Sequence, residues 1–236
     1  MSKSTSMEKK YRVLLMTFVL IAVISLSGFY ESYFQFLPQF SRFPAVIHIH
    51  FSAFFCWFAM IIIQPLLIRQ KNYTLHRKVG RLSYLLAPIL VLTIIVLVRD
   101  KAQREWAVST DNAAMTAFIG LLDILSFSAY YIIAMIKRNN TRWHVAFIIA
   151  ASLVVLNPGM ARLLNQIKPG LGLAGAVLAP FLVSAAIILF EKIKYKRQVL
   201  TSPYALFFLC WALEIALLMA IPQTTLWKKM VSTFIM

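Results

Sequence analysis

The residues able to do chemistry in this chain are few, and most lie inside long apolar runs. The first set is His48, His50, Asp123, Asn157, Arg162 and Glu214. An ionisable group in hydrocarbon is expensive unless protonated, paired or bound to an ion, so each marks a functional site by default. Imidazole and carboxylate together suit a divalent metal, with His50 and Asp123 as the pair. Arg162 with Asp123 or Glu214 reads as a buried ion pair or as a grip on a small ligand. Cys210 lies one helical turn from Glu214. His48 and His50 are two apart and project about 200° from each other on a helix, so they cannot both hold one metal. His50, Trp57 and Gln64 recur every seven residues, as do Thr116, Asp123 and Tyr130. Each row predicts a stripe on one helix face, the first turned toward the bundle. Asn157-Pro158-Gly159 predicts a broken or kinked helix with freed carbonyls. The alternative for the histidines and Gln64 is plain hydrogen bonding between helices.

A second set sits at the ends of apolar runs. One connection reads Leu75-His76-Arg77-Lys78-Val79-Gly80-Arg81 and another Arg142-Trp143-His144. His76 and His144 could be axial ligands of one haem b, with Arg77, Arg81 or Arg142 pairing its propionates. The same residues could instead form a lipid head-group interface.

The elements that must position these groups are membrane helices. Of 236 residues, 61% are hydrophobic and 14% charged, too apolar for a soluble domain. A span needs about 20 mostly apolar residues. Seven runs qualify: Arg12–Tyr30, Val46–Ile68, Leu82–Val98, Ala114–Ile136, His144–Asn165, Gly172–Phe190 and Pro203–Ile221. The expected fold is all-α: one integral membrane helix bundle over residues 1–236. Most of the 24 Lys and Arg fall in the N-terminus, Arg69–Arg81, Lys137–Arg142 and Lys192–Arg197. Positive charge marks cytoplasmic segments, so the N-terminus is expected inside, in an inner (cytoplasmic) membrane. The first set of polar groups then falls in the outer half of the bilayer or near its centre, and predicts a polar pocket open to the outside. An alternative reads the first run as a signal peptide, with Ser25-Leu26-Ser27 as its cleavage site.

The net charge of +16 does not indicate nucleic acid, because no basic stretch is long enough to build a separate surface. Cys56 and Cys210 lie inside apolar runs and form no CxxC motif. No hydrolase, zinc-protease or nucleotide-binding motif occurs. The last run holds no lysine for a retinal Schiff base.

One helix ends in Gln and a basic turn, His-Arg-x-x-Gly-Arg opens the next, and a later helix opens on Arg-Trp and ends in Arg-Leu. In this order Gln64, Arg69, His76, Arg77, Gly80, Arg81, Arg142, Trp143, Arg162 and Leu163 resemble a bacterial family of multi-pass membrane proteins of unknown function. The resemblance covers residues 54–164 and implies a four-helix core. That family has a histidine just before its Arg-Trp. Here Asn139 or Asn140 stands there, and His144 follows. A more distant similarity is to di-haem cytochromes b, which implies facing histidine pairs across helices. With four histidines in all, and the outer two pointing apart, this chain could hold one inner haem through His76 and His144.

Three function classes follow. One is a haem- or metal-dependent membrane protein. Another is a transporter or binder of a small molecule or ion in the outer pocket. The third is a structural or accessory membrane protein. Enzyme activity and oligomeric state are left open.

Overall fold

The computed structural model describes residues 2–235, with side chains from Tyr11 to Ile235. Among the described residues it is all-α, with no strand. The helices are α1 (Ser2–Gly28), α2 (Ala45–Arg69), α3 (Tyr73–Arg81), α4 (Ser83–Trp106), α5 (Thr110–Ile136), α6 (Thr141–Ile167), α7 (Leu171–Tyr195), α8 (Pro203–Ala220) and α9 (Thr225–Ile235). Seven helical stretches are long and apolar enough to cross a membrane, α3 and α4 counting together as Tyr73–Trp106. Leu92, Leu125, Leu182, Leu209 and Leu213 are exposed. Such rows of bare leucine belong against lipid, where only helices satisfy every backbone group within the segment. The protein is a multi-pass membrane protein.

The chain divides into two units, Met1–Thr93 and Ile94–Met236. In the first, α1 packs on α2 and α2 on α3. Their connection carries an aromatic cluster in which Tyr33 stacks on Phe51 at 3.9 Å and Phe29 meets Phe54 edge-on at 5.7 Å. The turn after α2 has a local cause. Lys71 adopts a left-handed conformation, φ 59°. Its N–H donates to the Ile68 carbonyl at 2.9 Å, and that of Asn72 donates to Leu67 at 2.9 Å. This pair of bonds closes a helix C-terminus. The Asn72 side chain then accepts from the Leu75 N–H at 3.1 Å and starts α3. Residues 75–81, read from sequence as a loop, are therefore helical.

In the second unit α6 packs on α5, α7 and α8, while α8 also meets α5. α6 is the most deeply enclosed span. Its Ala146, Ala150, Ala151 and Ser152 are buried, and such small side chains let neighbouring helices approach. Gly172 shows how closely α7 comes: a Cβ there would lie 2.3 Å from the Ala161 carbonyl oxygen. The expected break at Asn157-Pro158-Gly159 does not occur, because α6 runs on to Ile167. Proline removes one helical hydrogen bond, and an enclosed membrane helix tolerates that loss. α9 was not foreseen. Its Trp227 Nε1 donates to the Ala114 carbonyl at 2.9 Å, and Lys228 pairs with Asp111 at 2.5 Å.

Candidate functional site

Asp123 stands at the midpoint of α5, thirteen residues from either end, and Glu214 is the one charged residue of α8. On α5, Asp123, Ser126, Phe127 and Tyr130 follow the i, i+3, i+4, i+7 rule and share a face. On α8, Phe207, Cys210, Trp211 and Glu214 do the same. The two helices are in contact, so these stripes meet. The Tyr130 hydroxyl donates to Glu214 Oε1 at 2.5 Å. Ser126 is hydrogen-bonded to the same carboxyl. Glu214 is near enough for its charge to act on Asp123 and on the Cys210 thiol. Below this group Phe207 meets Tyr130 edge-on at 5.3 Å. Trp211 is tied to α7 through its Nε1 and the Val177 carbonyl, 3.0 Å apart. Ser126 and Tyr130 are buried, whereas Asp123 and Glu214 are half-buried.

Two carboxyls, two hydroxyls and a thiol meet here within apolar surroundings. Asp123 and Glu214 make no ion pair with Arg162, contrary to expectation. Arg162 is exposed, and its Nη1 donates to the Pro158 carbonyl of its own helix at 3.0 Å. The charge that acts on Asp123 is that of Glu214, of its own sign. A carboxyl so placed is expensive unless protonated, paired or bound to an ion.

The remaining outer candidates fall in both units. Asn157 is buried in α6, and its Oδ1 has no hydrogen-bond partner among the described residues. His48 and His50 belong to the first unit. His48 Nε2 lies 2.9 Å from the Phe40 carbonyl, which can only accept, so Nε2 carries the proton. Nδ1 then accepts from the Tyr33 hydroxyl at 2.7 Å. Burial pushes the Tyr33 phenol above its ordinary range, which keeps that donor protonated. Both His48 nitrogens are thus used to pin the connection before α2, and none remains for a ligand. His50 Nδ1 pairs with Thr93 Oγ1 at 2.9 Å. Trp57 is fully buried, and Gln64 Nε2 donates to the His76 carbonyl at 3.2 Å. Among the described residues no three His, Cys, Asp or Glu side chains gather to hold a metal ion.

At the other end of the second unit sits a carboxylate that sequence reading missed. Glu191, buried near the end of α7, accepts from Arg142 Nε at 2.9 Å and Arg142 Nη2 at 2.6 Å. Arg197 Nη1 adds a bond at 3.0 Å and Ser202 Oγ one at 2.9 Å. Arg142 also donates to the Thr201 carbonyl at 3.3 Å. This joins the start of α6, the end of α7 and the approach to α8. It also corrects the role given to Arg142: a guanidinium held in a two-pronged grip by Glu191 is not available for a haem propionate. A signal did exist in the sequence. An acid in the last turns of an apolar helix opposes the helix dipole and so needs a cation. Asn140 caps α6 by accepting from the Trp143 N–H at 3.4 Å. His144 Nδ1 lies 2.8 Å from the Ala134 carbonyl at the end of α5.

Comparison with protein families, with curated proteins and with solved structures finds no match to this chain.

Proposed function

We propose that this protein binds a small monovalent cation, the proton included, between Asp123 and Glu214 within the membrane, and that it works as a transporter or binder of that ion. The observation that carries the reading is the meeting of two carboxyls on facing spans with hydroxyl partners and, among the described residues, no salt bridge to either. A carboxylate accepts up to four hydrogen bonds or ion contacts, and the two hydroxyl partners of Glu214 leave part of that capacity unused. On the charge distribution, the N-terminus lies inside, the membrane is the cytoplasmic one, and the site is reached from the outer half.

The test is thermal unfolding of the purified protein against rising LiCl, NaCl, KCl or methylammonium chloride, and against pH, at constant ionic strength. Binding stabilises the folded state by about 2.7 kcal/mol at a hundred times Kd. Asp123→Asn and Glu214→Gln are expected to insert and fold but to lose the response. An identical response in both variants and the parent would sink the reading.

A second reading rests on His144. Its Nδ1 is engaged by a backbone carbonyl, the usual arrangement that orients the other nitrogen of a ligating imidazole. The role this would give His144 is that of an axial ligand of a haem b. The family resemblance supports the membrane setting of these residues and supplies no activity. A reduced-minus-oxidised optical spectrum decides it: no Soret or α-band change in haem-replete protein removes this reading.

A further inference from the structure

The short helix α3 has three sides. At about 100° per residue, His76 and Gly80 lie on one of them. The packing of α3 on α2 turns this side inward: the Gln64 amide reaches the His76 carbonyl, and a Cβ on Gly80 would lie 3.4 Å from Gln64 Nε2. Arg77, Lys78 and Arg81 lie on a second side, spread over an arc of about 100° around Thr74. All three cations are exposed, and none makes an ion pair or hydrogen bond with another described residue. Leu75, Val79 and Leu82 form the third side, with Leu75 and Leu82 exposed. Exposed Arg69 and Lys71 stand at the turn that precedes α3. From Arg69 to Arg81 there are five cations and no acid.

The turn joins two spans, so this segment lies at the edge of the bilayer. The cations are graded in depth, because Arg81 stands about 6 Å further along the helix than Arg77. Long basic side chains at such an edge keep their stems in the apolar layer and their heads among phosphates. A basic arc beside an apolar arc matches a lipid molecule in both of its parts. We infer that the α2–α3 turn and the basic side of α3 form a binding surface for anionic phospholipid of the bilayer. Arg77, Lys78 and Arg81 take the phosphate, and Leu75, Val79 and Leu82 lie along the acyl chain. This rests on neither reading of the preceding section.

The experiment is native mass spectrometry of the full chain released from micelles holding equal amounts of phosphatidylglycerol and phosphatidylcholine. The parent is expected to retain phosphatidylglycerol preferentially. Each cation near an anionic surface is worth about a fivefold change in binding, so Arg77→Gln with Lys78→Gln should erase most of the preference. Lys192→Gln with Lys194→Gln, in the other unit, should leave it unchanged. Were the first pair of substitutions to prevent folding, the parent alone still decides. Its preference should collapse in 1 M NaCl, where screening is complete within about 3 Å. Equal retention of the two lipids overturns the inference, as does loss of preference only in the Lys192 and Lys194 variant. So does displacement of the lipid by millimolar free glycerol phosphate, which would mark a site for a soluble phosphate.

Discussion

The second unit contains two carboxylate sites with opposite designs. Glu191 receives four hydrogen bonds from Arg142, Arg197 and Ser202. Its charge is neutralised by the protein itself, and its partners tie three segments of chain together. Asp123 and Glu214 have each other, the hydroxyls of Tyr130 and Ser126, and the Cys210 thiol. Among the described residues no salt bridge neutralises their charge. A buried acid whose partners complete its shell holds structure. One whose partners leave a charge over is what the proposed ion binding requires. Burial alone would have ranked Glu191 as the more suspicious residue. The inventory of partners reverses that ranking.

The comparison can be broken by substitutions, and Glu191 should give the largest effect. Removing one member of a buried charge pair leaves the other uncompensated and costs about 3–5 kcal/mol. Glu191→Ala is therefore expected to lower the thermal midpoint strongly, or to leave aggregated protein, as read by size-exclusion chromatography and thermal unfolding in detergent. Next comes Tyr130→Phe, which deletes the hydroxyl donor to Glu214. A hydrogen bond to a charged group is worth about 1.5–3 kcal/mol, and the same variant should shift the cation concentration needed for half-maximal stabilisation. Ser202→Ala should cost about 1 kcal/mol, since two arginines still hold Glu191. Its midpoint should not depend on the added cation. The smallest stability effect belongs to Asp123→Asn and Glu214→Gln, each within about 0.5 kcal/mol of the parent in cation-free buffer, with the response to cations gone. If Glu214→Gln instead unfolds the protein as Glu191→Ala does, the two sites are of one kind and the distinction fails.

The basic residues repeat the lesson. Arg142 and Arg77 both stood in the sequence as cations at a membrane boundary beside a histidine. Arg142 proves to be enclosed by Glu191, while Arg77 points away from the protein with Lys78 and Arg81. The sequence cannot separate the two cases, because the acid that claims Arg142 lies 49 positions along the chain. The histidines divide in the same way. His48, read as lining a pocket, is spent on Tyr33 and Phe40, whereas His144 has one nitrogen engaged and a role still to be tested.

The sequence by itself determined the all-α membrane class and the seven spans, close to their observed limits. It also determined the depth of Asp123 and Glu214, and the rows that place Tyr130 with Asp123 and Cys210 with Glu214. These follow from local rules: the length of an apolar run, and a helical period that places every fourth or seventh residue on one face. Only the tertiary structure decided that the row on α5 faces the row on α8, that Glu191 claims Arg142, that α6 continues through Pro158, and that α9 folds back onto the start of α5. Each of these depends on which distant segments meet. Neighbouring helices in a membrane are equally apolar on most faces, so hydrophobic pattern does not choose their partners. Small residues, close approaches and a few polar contacts make that choice.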